Sequence, residues 1–152
     1  TRQNMQAIGD LRLITNTTPK SWERYGIHAL EGVYPFLKLG GWVSVANTGT
    51  EQANVIHASH DSGAEVVLSA ISDMYGALGC LGLYGTKGNI YVPFKDTYHA
   101  FKSQLVGFVD YLRTGKMPFD FEETVELMKI IIAGIQSRQQ KGKKILLSEI
   151  EI

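Results

Sequence analysis

The chain has 152 residues, 44% of them hydrophobic and 20% charged, which is the size of one domain and the composition of an ordinary globule, not of a disordered segment. Lys and Arg total 15 against 15 Asp and Glu, so the bulk positive charge that drives non-specific nucleic-acid binding is missing. No apolar run approaches a membrane span, and a single cysteine, Cys80, excludes an internal disulfide framework or a multi-cysteine zinc site.

That cysteine usage fits a reducing, cytoplasmic setting, and no secretion-signal pattern opens the chain. The first residue is Thr1, as expected of a trimmed product, a fragment or the ordered part of a longer chain.

In chain order, Ile8 to Ile14 alternates as a strand, and Thr15-Asn16-Thr17-Thr18-Pro19 is expected to be a loop, because Asn and Pro punctuate backbone structure. A helix follows from Ser21, its N-cap, to Leu39, with Gly40-Gly41 as the stop. Gly26, Gly32 and Pro35 weaken it and divide it into two pieces. Trp42 to Asn47 is a strand. Ala53 to His60 and Ala64 to Ser72 are strands flanking the Asp61-Ser62-Gly63 hairpin turn. Leu81 to Tyr84 and Asn89 to Val92 flank a second tight turn, Gly85 to Gly88. The glycine spacing from Gly76 through Gly79, Gly82, Gly85 and Gly88 is short and free of proline, which excludes collagen.

Phe101, Leu105, Phe108, Val109 and Leu112 recur at helical spacing in a helix that Gly115 and Pro118 end. A last helix starts with Asp120 and Glu123 as a capping box, lines Val125, Met128, Ile132 and Ile135 along one face, and ends at Gly142. Lys144 to Leu147 is a short final strand. This order predicts an α+β fold, a largely antiparallel sheet with helices packed on one face.

The chemistry-bearing side chains are few. His57 and His60 are three apart on a strand and point to opposite faces, so they do not share a metal, and no metal site is expected. No Gly-x-Ser-x-Gly elbow, phosphate loop or Gly-x-Gly-x-x-Gly fingerprint is present; the Gly76 to Gly82 stretch lacks that spacing. Glu122, Glu123 and Glu126 suit a helix N-terminus, and Lys141, Lys143 and Lys144 suit a helix C-terminus. Phe101, Phe108 and Phe119 are expected in the core. His28 stands apart. Glu31 lies three residues on, on the same helical face, and the pair is first a structural His–carboxylate contact and second an acid/base unit.

Four segments shift that balance. Tyr25-Gly26-Ile27-His28-Ala29-Leu30-Glu31 resembles the helix that carries the active-site histidine of the Gfo/Idh/MocA oxidoreductases, among them glucose–fructose oxidoreductase and inositol dehydrogenase. Ile8-Gly9-Asp10-Leu11 is similar to the "iGdl" strand that opens their C-terminal domain. Leu83 to Ile90 resembles its "iyGtkGsl" hairpin, and Phe108 to Leu112 with Gly115 to Pro118 resembles "Fvdairegr.P". The match covers nearly the whole chain and only the C-terminal half of such proteins.

The resemblance implies a C-terminal domain of the glyceraldehyde-3-phosphate-dehydrogenase-like type. A separate N-terminal Rossmann domain would bind NAD or NADP and carry a lysine in a Glu-Lys-Pro motif, and it is expected to be absent from this chain. It implies hydride transfer at a hydroxyl-bearing carbon of a sugar, cyclitol or related small molecule, with His28 as the acid/base or hydroxyl-orienting group. It points to Asn16, Thr17, Arg24 and Glu31 as substrate contacts and to Lys20 or Trp22 as residues facing the cofactor. Arg24 stands where many members carry an aspartate. A cation cannot act as base there, so Arg24 either holds an anionic group or marks altered activity. The isolated chain is expected to be inactive. Alternatives are a sheet-mediated homodimer or higher homo-oligomer, with Val43, Val45, Val66 and Leu68 as its sticky face, or a catalytically dead member that binds ligand. Neither a nucleic acid nor a membrane is an expected partner.

Overall fold

The computed structural model describes residues 5–76, 79–94 and 96–152; of the glycine-repeat stretch, Ala77 and Leu78 lie outside the described residues. A helical turn α1 (Met5–Ile8) precedes β1 (Leu11–Pro19) and α2 (Trp22–Val33), which a 3₁₀ turn (Tyr34–Phe36) extends. Then come β2 (Trp42–Asn47), β3 (Ala53–His60), β4 (Glu65–Ile71), β5 (Cys80–Gly85) and β6 (Asn89–Pro93). α3 (Thr97–Thr114), α4 (Phe121–Gln139) and β7 (Ile145–Leu146) complete the order. The strands form one mixed sheet, β6-β5-β1-β4-β3-β2-β7, in which β1 runs parallel to β4 and every other described pair is antiparallel. The α+β fold with helices on the sheet is therefore as expected.

The opening strand is displaced. Residues Met5 to Ile8 are helical, the chain turns at Gly9 with φ 72°, and pairing begins at Leu11. The Gly85–Gly88 turn folds over this corner, its Thr86 and Lys87 amides donating to the carbonyls of Asp10 and Ile8 at 2.9 and 2.8 Å. The expected loop at Thr15 to Pro19 is strand. Asn16, Thr17 and Thr18 pair with Leu68, Ser69 and Ala70 of β4, so distant backbone partners outweigh the local turn preference.

Against the sheet lie α2 and α4, and the core forms between them. Trp22, Ala29, Leu30 and Val33 of α2 and Ile130 and Ala133 of α4 are fully buried over Ile14, Val45, Ile56, Val66 and Leu68. Trp22 is the keystone. Its indole N–H donates to the Ile131 carbonyl at 3.1 Å, and its ring lies against Gly26 and Gly134. A Cβ on Gly26 would sit 2.9 Å from Ile131 Cδ1, so this helix-weakening glycine is what lets α2 approach α4. Ser21 occupies the N-cap position of α2 without a side-chain cap bond, and Pro35 falls in the 3₁₀ turn that follows the α-helix.

Three further expectations are corrected. The buried face of α4 is Leu127, Ile130, Ile131, Ala133, Gly134 and Ser137; Val125, Ile132 and Ile135 are half-buried and Met128 is exposed. The Asp120–Glu123 capping box is not made through side chains, because the Glu123 amide donates to the Asp120 carbonyl instead. Phe101, Phe108 and Phe119 are exposed, and α3 buries none of its residues. Helical spacing reveals an amphipathic helix but not what covers it.

The sheet's helix-free face also differs from expectation. Val45, Val66 and Leu68 point into the core, and Val43 alone of the four stays exposed, at a bulge between Trp42 and Ser44. The open face is instead lined by Thr15, Thr17, Val67, Ser69, Val55 and His57, the alternate positions of β1, β4 and β3. His57 and His60 do separate as expected. His57 lies 2.8 Å from Glu65 on the open face, while His60 is buried, its Nε2–H donating to the Lys38 carbonyl at 2.9 Å.

A polar network unforeseen from sequence joins both helices to the sheet. Asn54 Oδ1, fully buried, accepts from Asn47 Nδ2 at 2.9 Å and from the Arg138 guanidinium at 2.7 Å. The Asn47 amide donates to Ser137 Oγ, whose hydroxyl donates to the Lys143 carbonyl. Arg138 also grips Glu23 in the first turn of α2. Partial burial alone would raise the Glu23 carboxyl. The hydrogen bonds from its own backbone amide, Arg138 and Ser21 outweigh that and hold it below its ordinary value.

Candidate functional site

One side of α2 is committed to the core through Trp22, Gly26, Ala29, Leu30 and Val33. The helical period then puts Arg24, His28 and Glu31 together on the opposite, exposed stripe. His28 is not sealed in the interior: its side chain is 45% exposed and that of Glu31 57%. His28 Nδ1 lies 3.1 Å from Glu31 Oε2. An ionised carboxylate only accepts, so Nδ1 is the donor in this bond, and Nε2 is the ring nitrogen that Glu31 leaves free for a substrate hydroxyl.

The ring is braced from the N-terminal side. Tyr25 meets it edge-on at 5.2 Å between centroids, and Lys20 Nζ stands 4.9 Å from the centre of the Tyr25 ring. Lys20 adopts a left-handed backbone, φ 65°, where β1 turns into α2. This conformation is uncommon for a residue with a Cβ. Tyr25 was not singled out in the sequence. Its signal was there, three residues before His28 on adjoining helix surface. Arg24 is exposed and makes no ion pair among the described residues.

The remaining expected residues do not gather around His28. Asn16 is buried beneath α2, its Nδ2 donating to the Ala29 carbonyl and its Oδ1 accepting from the Thr17 amide, both at 3.0 Å. It ties β1 to the residue after His28, and both ends of its amide are engaged. Thr17 alternates to the open face of the sheet, and its carbonyl accepts from the Gly79 amide. Trp22 has no exposed surface, so the expectation that it faces a cofactor is corrected: its place is in the core. Pattern favoured this outcome, since Trp22, Gly26, Ala29 and Val33 share one helical face.

The site thus has one wall. A groove runs along α3 and another lies between Leu11 and Leu37, and His28 lines neither. Among the described residues there is no group of three His, Cys, Asp or Glu able to hold a metal, and no helix long and apolar enough to cross a membrane. Nor do these residues build a dinucleotide cradle. Lys20, against the Tyr25 ring, and Arg24, one helical turn before His28, are exposed cations that could border one.

No family model matches the chain, and no curated protein does. Solved structures do. A myo-inositol dehydrogenase from Corynebacterium glutamicum superposes with a TM-score of 0.75 at 17% identity, over 96% of this chain and 59% of that one. The scyllo-inositol dehydrogenase of Lactobacillus casei gives 0.76 at 14% identity, over 97% and 58%. An Agrobacterium radiobacter oxidoreductase, solved in complex with NAD+, L-tartaric acid and magnesium, gives 0.72 at 12% identity, over 96% and 59%. At such identities the likeness is one of fold. The chain has the fold of the C-terminal domain of Gfo/Idh/MocA-type dehydrogenases and spans about three-fifths of the length of these structures.

Proposed function

We propose that this chain is the substrate-side domain of an NAD(P)-dependent oxidoreductase that acts on a hydroxyl-bearing carbon of a sugar, cyclitol or related small molecule. The observation that carries the reading is His28: an accessible imidazole, oriented through Nδ1 by Glu31, on the helix that packs across a dehydrogenase-type sheet. In this reading Nε2 takes the hydroxyl proton as the carbon is oxidised and returns it in the reverse direction, while Glu31 holds the ring and steadies its charged form. Arg24, one turn before His28 on the same stripe, orients an anionic or hydroxyl-rich part of the substrate. Asn16 and Thr17 serve from below, as struts of β1.

The nicotinamide cofactor supplies the hydride acceptor when bound, and its choice between NAD and NADP belongs to a Rossmann domain N-terminal to this one. This chain contributes at most the cationic border of Lys20 and Arg24, so it is expected to be inactive by itself. The test is a nicotinamide absorbance assay with a panel of cyclitols, aldoses and hydroxy acids. It is run on the 152-residue chain and on the longer gene product containing it. Turnover is expected from the longer product only; sustained turnover by the short chain, or by neither protein with any substrate, contradicts the reading.

A second reading rests on the open face. Its Val55 is 39% exposed, and among the described residues no helix covers it or the other five side chains of that face. A second copy of the sheet would bury them, giving a homodimer or higher oligomer even if His28 were idle, as in a ligand-binding member without catalysis. Light scattering separates the two: a dimer abolished by Val55→Arg supports sheet pairing, and a strict monomer removes it.

A further inference from the structure

The charged side chains along α2 are unevenly matched: its acids are engaged and its cations are not. Glu31 holds Nδ1 of His28 at 3.1 Å, and Glu23 is gripped by the Arg138 guanidinium from α4. Arg24 is exposed and has no ion-pair partner among the described residues. Lys20, at the turn into α2, rests its ammonium 4.9 Å from the centre of the Tyr25 ring, and a ring face carries no net charge to cancel it. Two uncompensated cations therefore flank the approach to His28, and such a surface concentrates anions. We propose, on the basis of the functional reading above, that the substrate is a sugar acid or related hydroxy acid and that Arg24 binds its carboxylate.

Three features choose a carboxylate. First, an uncharged polyol is gripped by donors and acceptors together, and Arg24 offers donors only, while the carboxylate acceptor of this stripe, Glu31, is taken up by His28. A guanidinium instead meets a carboxylate through two parallel charge-assisted bonds. Second, Arg24 and His28 are four residues apart on one helical face, so their Cβ atoms stand about 5–6 Å apart. A hydroxyl at Nε2 and a carboxylate at the guanidinium then belong to one small molecule. Third, the N-terminus of α2, the natural seat of a phosphate, is closed. The Arg24 and Tyr25 amides donate to the Ser21 carbonyl at 3.3 and 2.9 Å, and the Glu23 carboxylate accepts from its own amide and adds negative charge there. What is left is one planar fork, which suits a carboxylate better than a phosphate.

The test runs the longer gene product on matched sets, each a sugar acid, its neutral counterpart and the corresponding sugar phosphate, such as glucuronate beside glucose and galacturonate beside galactose. The acid should show the highest kcat/KM of its set. Arg24→Gln should cut the ratio of acid to neutral kcat/KM by at least about tenfold, mainly through the KM of the acid, and Arg24→Lys should restore part of it. Both variants should melt with the wild type, because an exposed side chain without partners holds nothing in place. A ratio that Arg24→Gln leaves unmoved overturns the proposal, and so does a neutral sugar or a sugar phosphate turned over better than the acid. In those cases the role of His28 stands and only the carboxylate seat falls. No turnover by the wild type of any substrate, in these sets or in the wider panel above, contradicts the functional reading itself and the proposal with it.

Discussion

Replacing Arg138 with Met keeps the aliphatic stem packed and deletes both guanidinium bonds. The side chain is only 17% exposed, so its bond to the buried Asn54 oxygen is worth about 1.5–3 kcal/mol as a charge-assisted contact. Asn54 is not orphaned by the change, because Asn47 still donates to the same oxygen, which favours the lower half of that range. Glu23 is 34% exposed and water can take over part of its pairing, so the ion pair adds ~0–1 kcal/mol. The sum is about 2–3 kcal/mol, and at roughly 2–4 °C per kcal/mol for a chain of this size Tm falls by about 4–12 °C.

The loss should also depend on pH. The Glu23 carboxyl is held below its ordinary value of 4.5 in the folded chain, so its share of the stability is complete above that value and is lost as pH falls through the lower, folded one. The gap between wild type and Arg138→Met therefore narrows on acidification by the Glu23 share and keeps the Asn54 share. Calorimetry or urea titration at neutral pH and near pH 3 measures both. An unchanged Tm at neutral pH, or a gap that widens in acid, refutes the assignment of this network as the clamp on α2.

Trp22→Ala should cost about 3–5 kcal/mol and so lower the Tm read by circular dichroism by about 6–20 °C. Gly26→Ala should lower Tm although alanine is the better helix former, since its Cβ meets Ile131 and Trp22; a raised Tm would show that α2 and α4 are not in close contact. Glu31→Gln should shift the neutral His28 ring from the Nδ1–H form toward Nε2–H, read from the ring nitrogen chemical shifts, with no loss of stability at this exposed pair.

Local signals were legible and long-range ones were not. The bounds of β2 follow from its run of β-branched and aromatic residues and those of β3 from the Asp61-Ser62-Gly63 turn, which are properties of neighbours in sequence. The strand character of Asn16 to Pro19 depends on β4, some fifty residues away. The Asn47–Asn54–Arg138–Glu23 network likewise joins four elements and leaves no pattern in any one of them. At the site, the His28–Glu31 spacing was sufficient because a helix turns the same way everywhere. Placing Asn16, Thr17 and Trp22 required knowing which side of β1 and α2 faces the sheet. For Trp22 the apolar stripe already carried that information. The exposure of α3 was beyond reach, since an amphipathic helix reads identically whether its cover is the core or another domain.

Turnover of the longer gene product with His28→Gln, at saturating nicotinamide cofactor, bears most directly on the account. A proton-transfer role requires kcat to drop by about 10²–10⁴-fold while cofactor affinity and Tm stay at their wild-type values. Wild-type turnover from that variant would leave His28 as a surface contact of Glu31 and nothing more.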